Sequence, residues 1–462
     1  MAKALLIAPA AERLVSKNTR KFHRTFPPLS LLIVAALLRQ SGWEVALHDL
    51  NADPAISPEQ VQNDAVHCDL VVLTTNPYAD WQCPSLETEH IFEWACLLPS
   101  EHLVITGNHG THYPGSVLKH TGALVVVREE PEWAILEVAE SLRKHGDLSQ
   151  IMGISYRQGE AHHHNPERSL QSMNEFPPPA YDLIDLKNYQ YELLGGNFAL
   201  LESSRGCPYS CNFCNLSMFQ NSYRKKEPEL FLQELDTLVE VHGCRSLYIF
   251  DLEFTISRKM LNAVCEHLIK KDYAKCYGFR WACQTRADSV QENLLPLMKQ
   301  SGCALIHFGV EAGNAGILRQ TNKKITKARI KEGIKATQHA GIAAAAFFIF
   351  GHPKETVSHY EETLDFALEL SPHFASFHPF LSFPGSPLFI EKYGPGPYWE
   401  DPIREEVTFF TPEQEKMTAQ FVKKAYRKFY LRPRYIWQLL TQGDWGLYMR
   451  QLKLFFAFWR QG

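Results

Sequence analysis

Short apolar runs alternate with stretches that are apolar at helical spacing along most of this chain. Residues 4–8, 45–50, 70–74, 103–106 and 123–127 are runs of four to six residues, rich in Val, Leu, Ile and Ala and short enough for buried strands. Residues 29–40 are apolar on a helical repeat and stop at Ser41-Gly42. Strands that return through helices predict a parallel, doubly wound Rossmann-like sheet over residues 1–140. The alternation resumes after residue 196. Strands are expected at 199–203, 246–250, 278–283, 304–309, 344–350 and near 375–381, with helices at 227–242, 258–270, 291–300, 326–339 and 357–370. Six such units predict a partial (β/α)6 TIM-like barrel over residues 196–400, with functional groups at the carboxyl ends of its strands. Between the two lies a linker, 141–195, with a small hairpin and an extended Pro177-Pro178-Pro179 stretch. Residues 401–462 read as a helical extension, led by a helix at 411–430.

A chain of 462 residues is longer than one core usually serves, which agrees with several domains. The net charge of −4 gives no global pull toward nucleic acid, and no nucleic-acid partner is expected. No apolar run is long enough to span a membrane. Eleven cysteines, without a secretory leader, favour a reducing cytoplasm over a disulfide framework. The tail changes this picture locally. Residues 452–460 combine Lys and Arg with Phe and Trp, and read either as a cap packed on the barrel or as a peripheral membrane contact. His162-His163-His164 reads as a hairpin edge or, alternatively, as metal ligands; three consecutive strand residues cannot all face one ion.

The chemistry concentrates in Ser204-Arg205-Gly206-Cys207-Pro208-Tyr209-Ser210-Cys211-Asn212-Phe213-Cys214, directly after a predicted strand. Three thiolates in one loop can take three irons of a [4Fe–4S] cubane and leave the fourth open for a substrate, whereas electron-transfer clusters use four cysteines. A structural zinc needs a fourth ligand and none is apparent. Packing as small hydrophobes fits poorly with the polar neighbours. The other eight cysteines are scattered over predicted strands and helices, where packing is their expected role.

CxxxCxxC with an aromatic residue before its last cysteine resembles the radical S-adenosylmethionine (SAM) superfamily. The segments Phe250–Thr255, Arg286-Ala287-Asp288, Gly309–Gly313, Phe350–Thr356 and Phe383–Pro387 extend that resemblance through the barrel. The whole chain is similar to enzymes that join an N-terminal cobalamin-binding domain to a radical SAM barrel. The resemblance implies that Cys207, Cys211 and Cys214 ligate the cluster. It implies that Phe213 lies beside the SAM adenine, that Glu253, Arg286 and Glu311 serve its amino, carboxylate and ribose groups, and that Gly351 lets the backbone approach the adenine. For Glu253, Arg286 and Glu311 an ion pair closing the barrel top is the competing role.

Reductive cleavage of SAM to a 5′-deoxyadenosyl radical is the implied activity, with an electron donor such as flavodoxin or ferredoxin. Cobalamin is the implied second cofactor, beside the loops bearing Thr74, Asn76, Asn108, His109, Gly110, Thr111 and Glu129. Those loops read equally as simple turns, and the segment at His48-Asp49-Leu50 lacks the DxHxxG motif of cobalamin mutases. The leading expectation is cobalamin-dependent C-methylation, or related C–H functionalisation, of a small-molecule, lipid or ring substrate. The alternatives are a cobalamin-independent deoxygenation, ring closure or ring contraction, and a non-catalytic iron–sulfur or corrinoid carrier.

Overall fold

The computed structural model describes residues 1–9, 24–76, 88–403, 411–433 and 435–437. The first sheet has strands β1 (Lys3–Ala8), β2 (Glu44–Asp49), β3 (Leu70–Thr74), β4 (Leu103–Thr106) and β5 (Val125–Val127). They run parallel in the order β2-β1-β3-β4-β5. In this doubly wound arrangement ligands settle in the crevice beyond the strands' carboxyl ends. β3 and β4 are buried on both faces, which is why they read as unbroken apolar runs. Helix α1 (Leu29–Gln40) lies where the spacing predicts it. β5 begins at Val125 rather than at residue 123, because Gly122 closes the preceding helix in a left-handed conformation.

The expected linker hairpin is not a separate connector. β6 (Ile154–Gln158) and β7 (Ala161–His164) extend the first sheet antiparallel from β5. Sequence alone could not pair them, because nothing local says which edge a hairpin joins. The histidine run lies on that outer strand. His164 bonds Glu400 at 2.6 Å and Ser155 at 2.8 Å, while His163, on the opposite face, stacks on Tyr156.

The second sheet is the barrel wall: β8 (Phe198–Leu201), β9 (Ser246–Ile249), β10 (Arg280–Thr285), β11 (Cys303–Glu311), β12 (Ala343–Phe350) and β13 (Phe374–Pro379). All six are parallel and neighbours in chain order, so the barrel is open. Two of the expected helices differ in detail. The one after β8 is regular over Pro228–Asp236 and loosens into a wider turn over Thr237–Val241. The one at 291–300 becomes α-helical only at Leu295, where Pro296 occupies a first-turn position that needs no N–H.

An open barrel exposes the edge of β13, and α2 (Pro412–Tyr430) covers it. The Tyr430 hydroxyl takes the Ala375 N–H at 3.0 Å and donates to the Ala375 carbonyl at 2.8 Å. The Tyr426 hydroxyl takes the Phe377 N–H. Two phenols thus stand in for a seventh strand. The two halves share apolar packing: Phe26, Leu29, Leu32 and Ile33 belong to the same buried cluster as the barrel interior. No helix among the described residues is long and apolar enough to cross a membrane. The tail segment 452–460 lies outside the described residues.

Candidate active site

The cysteine loop starts from a short antiparallel pair, Ser204–Gly206 with Tyr223–Lys225, that hangs from the end of β8. Gly206 has φ of +80°, and a β-carbon there would collide with the Ser222 carbonyl. The loop therefore requires glycine immediately before its first cysteine. Asp251, at the end of β9, anchors its root. The carboxylate accepts from the Ser203 N–H at 2.7 Å and from the Ser203 and Ser204 hydroxyls at 2.6 Å each. The far side is held by Asn212, whose N–H and side-chain amide donate to the Thr321 and Gln320 carbonyls at 3.1 and 2.8 Å.

Burial pushes the Cys207 and Cys214 thiols up to about 12, and raises Cys211 as well. Each also feels its neighbours, with Cys211 and Cys207 acting on Cys214. Thiols raised in this way, here half-buried, become ligands when a strong positive charge compensates their ionisation, as iron does. Among the described residues no three His, Cys, Asp or Glu side chains converge where one ion would sit. Of the remaining cysteines, Cys244, Cys265, Cys283 and Cys303 are buried, whereas Cys96 and Cys276 are exposed rather than packed; Cys83 is outside the described residues.

The strand ends around this loop carry the ionisable groups. Glu253 is buried. Its carboxylate accepts from the Arg286 N–H at 2.9 Å and the Thr285 hydroxyl at 3.2 Å, and burial pushes its pKa up to about 7. Arg286 forks onto Asp288 at 3.0 Å and donates to the Lys323 carbonyl at 2.6 Å. The Tyr209 ring, from the cysteine loop, lies 4.0 Å from its guanidinium carbon. The remaining nitrogen of Arg286, Nη1, is buried with no partner among the described residues. Glu311 ends β11 with φ of +65°, a strained conformation for a residue with a side chain, and accepts from Lys323 Nζ at 2.6 Å. Arg286 and Glu311 are therefore held in ion pairs, while Glu253 is held by hydrogen bonds. Phe213 meets His352 edge to face at 5.8 Å, and the Gly351 and His352 N–H groups both donate to Glu355.

Lys323 lies outside the motifs, and Asp251 and Arg205 lie inside them with no role that the sequence assigns. Lys323 sits in Thr321-Asn322-Lys323-Lys324, where only burial distinguishes it from an ordinary surface lysine. Arg205 is fully buried two residues before Cys207. It donates to Glu202 at 2.6 Å within the barrel and to Glu132 at 2.6 Å from the first sheet's side, with Glu130 at 3.2 Å. The cluster loop and the first sheet thus share one buried ionic group.

The rim of the first sheet faces this loop. Asn108 and His112 lie 3.4 Å from the Asn215 amide, directly after Cys214, and His112 is 3.3 Å from the Ser217 hydroxyl. Thr74, Asn76, Asn108, His109 and Thr111 are all buried polar residues there. Several build the rim itself. Asn76 accepts from the Asn108 N–H at 3.0 Å, and Thr111 donates to the Gly107 carbonyl and accepts from the Glu129 N–H. Gly107, with φ of +115°, leaves no space for a β-carbon beside Asn76. Gly110 presses a short helix against Val126, and Glu129, with φ of +61°, accepts from Gln220 of the barrel at 2.8 Å.

Three half-buried thiols at the barrel mouth thus stand beside a tethered carboxylate and an arginine nitrogen with no partner among the described residues, the donor set an iron–sulfur site with a zwitterionic cosubstrate would use. Residues 201–367 match the radical SAM superfamily. It is 26% identical over 456 residues to an uncharacterised methyltransferase of Pyrococcus horikoshii, covering 94% of this chain and 93% of that one. It is 30% identical over 296 residues to the anaerobic magnesium-protoporphyrin IX monomethyl ester cyclase of Rubrivivax gelatinosus, spanning 62% of this chain and 52% of the cyclase. Among solved structures, the cobalamin-dependent SAM radical enzyme OxsB, with aqua-cobalamin and SAM bound, matches the fold with a TM-score of 0.72 at 18% identity, covering 98% of this chain and 72% of its own.

Proposed function

We propose that this radical SAM enzyme is cobalamin-dependent and methylates, or otherwise functionalises, a C–H bond of a small molecule. The observation that carries the reading is the closeness of the first sheet's buried polar rim to the cluster loop, through Asn108 and His112 on Asn215 and Ser217. A corrinoid on that rim and SAM on the loop would share one chamber. Three thiolates and an open iron would supply one-electron cleavage of SAM, and a corrinoid would supply a methyl group.

The chain's own residues do the rest. Cys207, Cys211 and Cys214 would hold the cluster. Arg286 would offer its unpaired Nη1 to the SAM carboxylate, a charge-assisted contact. Glu253, with a pKa near neutrality, would accept from the SAM ammonium and become fully ionised in doing so. Lys323 neutralises Glu311, so that its second oxygen can accept from a ribose hydroxyl without leaving a bare buried charge. Phe213 would flank the adenine, and the chain bend at Gly351 would bring backbone to it. Thr74, Asn76, Asn108, His109, Gly110, Thr111 and Glu129 would shape the corrin seat. A flavodoxin or ferredoxin would supply the electron.

The test is anaerobic reconstitution with iron and sulfide, reduction, and product analysis with and without methylcobalamin. 5′-Deoxyadenosine together with S-adenosylhomocysteine is the expected result. Formation of 5′-deoxyadenosine alone, with no corrinoid retained, supports the ring-forming reading that the similarity to cyclases favours. An unchanged SAM pool overturns both.

A further inference from the structure

The inner face of the barrel wall is nearly without charge. Across β8 to β13 only Arg280 and Glu311 are charged, one at the outer start of β10 and the other at the carboxyl end of β11. Between them the inward positions form a connected row. The Tyr248 hydroxyl is 3.2 Å from Gln284 Oε1 and 3.5 Å from His307 Nδ1, and His307 Nε2 is 3.0 Å from the Tyr191 hydroxyl. The His307 ring packs on Phe347 at 5.5 Å, and Phe347 stacks on His378 with planes 20° apart. Pairing in the sheet puts these residues on one face: Gln284 opposite His307, and Ile349 opposite His378.

The row has a floor and an open upper wall. Tyr191, Tyr248 and His307 are buried and bonded to one another. Gln284, Phe347 and His378 are only half buried, so part of each side chain stays accessible to a ligand. Further along β11, at its carboxyl end, stands Glu311 with its partner Lys323. Burial drives the His307 pKa down to about 3, so the floor stays neutral at any physiological pH.

We propose that this face is the substrate seat, and that the part of the substrate entering it is an uncharged, flat unsaturated ring. The Phe347 and His378 planes fit an aromatic or conjugated face. Gln284 supplies one neutral donor and acceptor for a carbonyl, hydroxyl or amide on the ring's edge. A carboxylate or ammonium would be excluded, because the row's own side chains carry no charge, Arg24 over the Tyr191 ring is already paired with Glu192, and burying an unpaired ion is strongly unfavourable. Charged groups of the substrate would stay at the mouth. This inference deepens the enzymatic reading above and rests on it for the identity of the chamber.

The test uses the reconstituted full-length protein and two fluorescent probes of one skeleton: uncharged N-phenyl-1-naphthylamine and its anionic sulfonate, 8-anilinonaphthalene-1-sulfonate. The uncharged probe should bind at least tenfold more tightly. Phe347→Ala should weaken it about tenfold, the order expected for losing one aromatic contact face. Gln284→Lys should weaken the uncharged probe and reverse the preference toward the sulfonate. Both variants are scored at full iron and sulfide content, so a folding defect is separated from a binding one. Equal binding of the two probes, or indifference to both substitutions, overturns the inference. SAM cleavage is scored separately: cleavage with indifferent probes rejects this seat alone, whereas lumen-dependent probe binding without cleavage rejects the radical reading and keeps the seat.

Discussion

The first sheet and the barrel are built on the same plan, parallel strands ending in polar loops, yet they furnish those loops differently. The barrel ends carry ions: Asp251, Glu253, Arg286, Glu311 and Lys323, all buried. Of the first sheet's loops, those bearing Thr74, Asn76, Asn108 and Thr111 are buried, polar and uncharged, and the charged groups Asp49, Arg128 and Glu130 sit at the ends of β2 and β5. Ions must be paired where they are buried, and the barrel does so with Arg286–Asp288 and Lys323–Glu311. Neutral groups can be satisfied by the backbone, as Asn76 and Thr111 are. The lesson concerns ligands. A charged, small cosubstrate suits preset countercharges, while a broad planar cofactor suits a neutral shelf shaped by its turns. Arg205 ties the two together, since its guanidinium is shared by Glu202 of one region and Glu130 and Glu132 of the other.

Four changes would break or sharpen this contrast, beginning with the greatest. Cys211→Ala should remove the cluster and stop 5′-deoxyadenosine formation altogether, as read by iron content and product analysis; retained cleavage would remove the barrel's assigned role. Arg205→Met should cost about 3–5 kcal/mol of stability in anaerobic urea titration, because three buried carboxylates lose their shared partner. Adding Glu132→Gln to that variant should recover part of the loss, which a purely local effect in the barrel would not allow.

On the sheet side, Asp49 is buried, and desolvation lifts its pKa from 3.8 to about 6 despite the Tyr189 hydroxyl it accepts from at 2.9 Å. The folded state therefore holds a proton that the unfolded chain has already released. Stability should fall as pH rises from about 4 to 6 and then level off, by at most about 3 kcal/mol at 1.4 kcal/mol per unit. Asp49→Asn should flatten that part of the stability profile. The smallest effect is expected from Lys323→Met, which leaves Glu311 unpaired. SAM affinity by equilibrium dialysis should drop about tenfold, equivalent to about 1.4 kcal/mol, while corrinoid retention stays unchanged. A loss of corrinoid instead would mean that the two loop sets do not divide the ligands as described.

The alternation of apolar runs determined both sheets, because a strand buried on two faces must be apolar throughout and the helix between two such strands must show one apolar stripe. Local chemistry determined the cysteine loop, since glycine, proline and three thiols within eleven residues admit few other structures. What only the tertiary structure decided are the relations between distant segments. The hairpin at 154–164 joined the first sheet's edge, Lys323 folded under Glu311, and Arg205 found partners 73 residues upstream. A buried lysine or arginine looks like a surface one in sequence, and its meaning comes from the carboxylate that the fold brings to it.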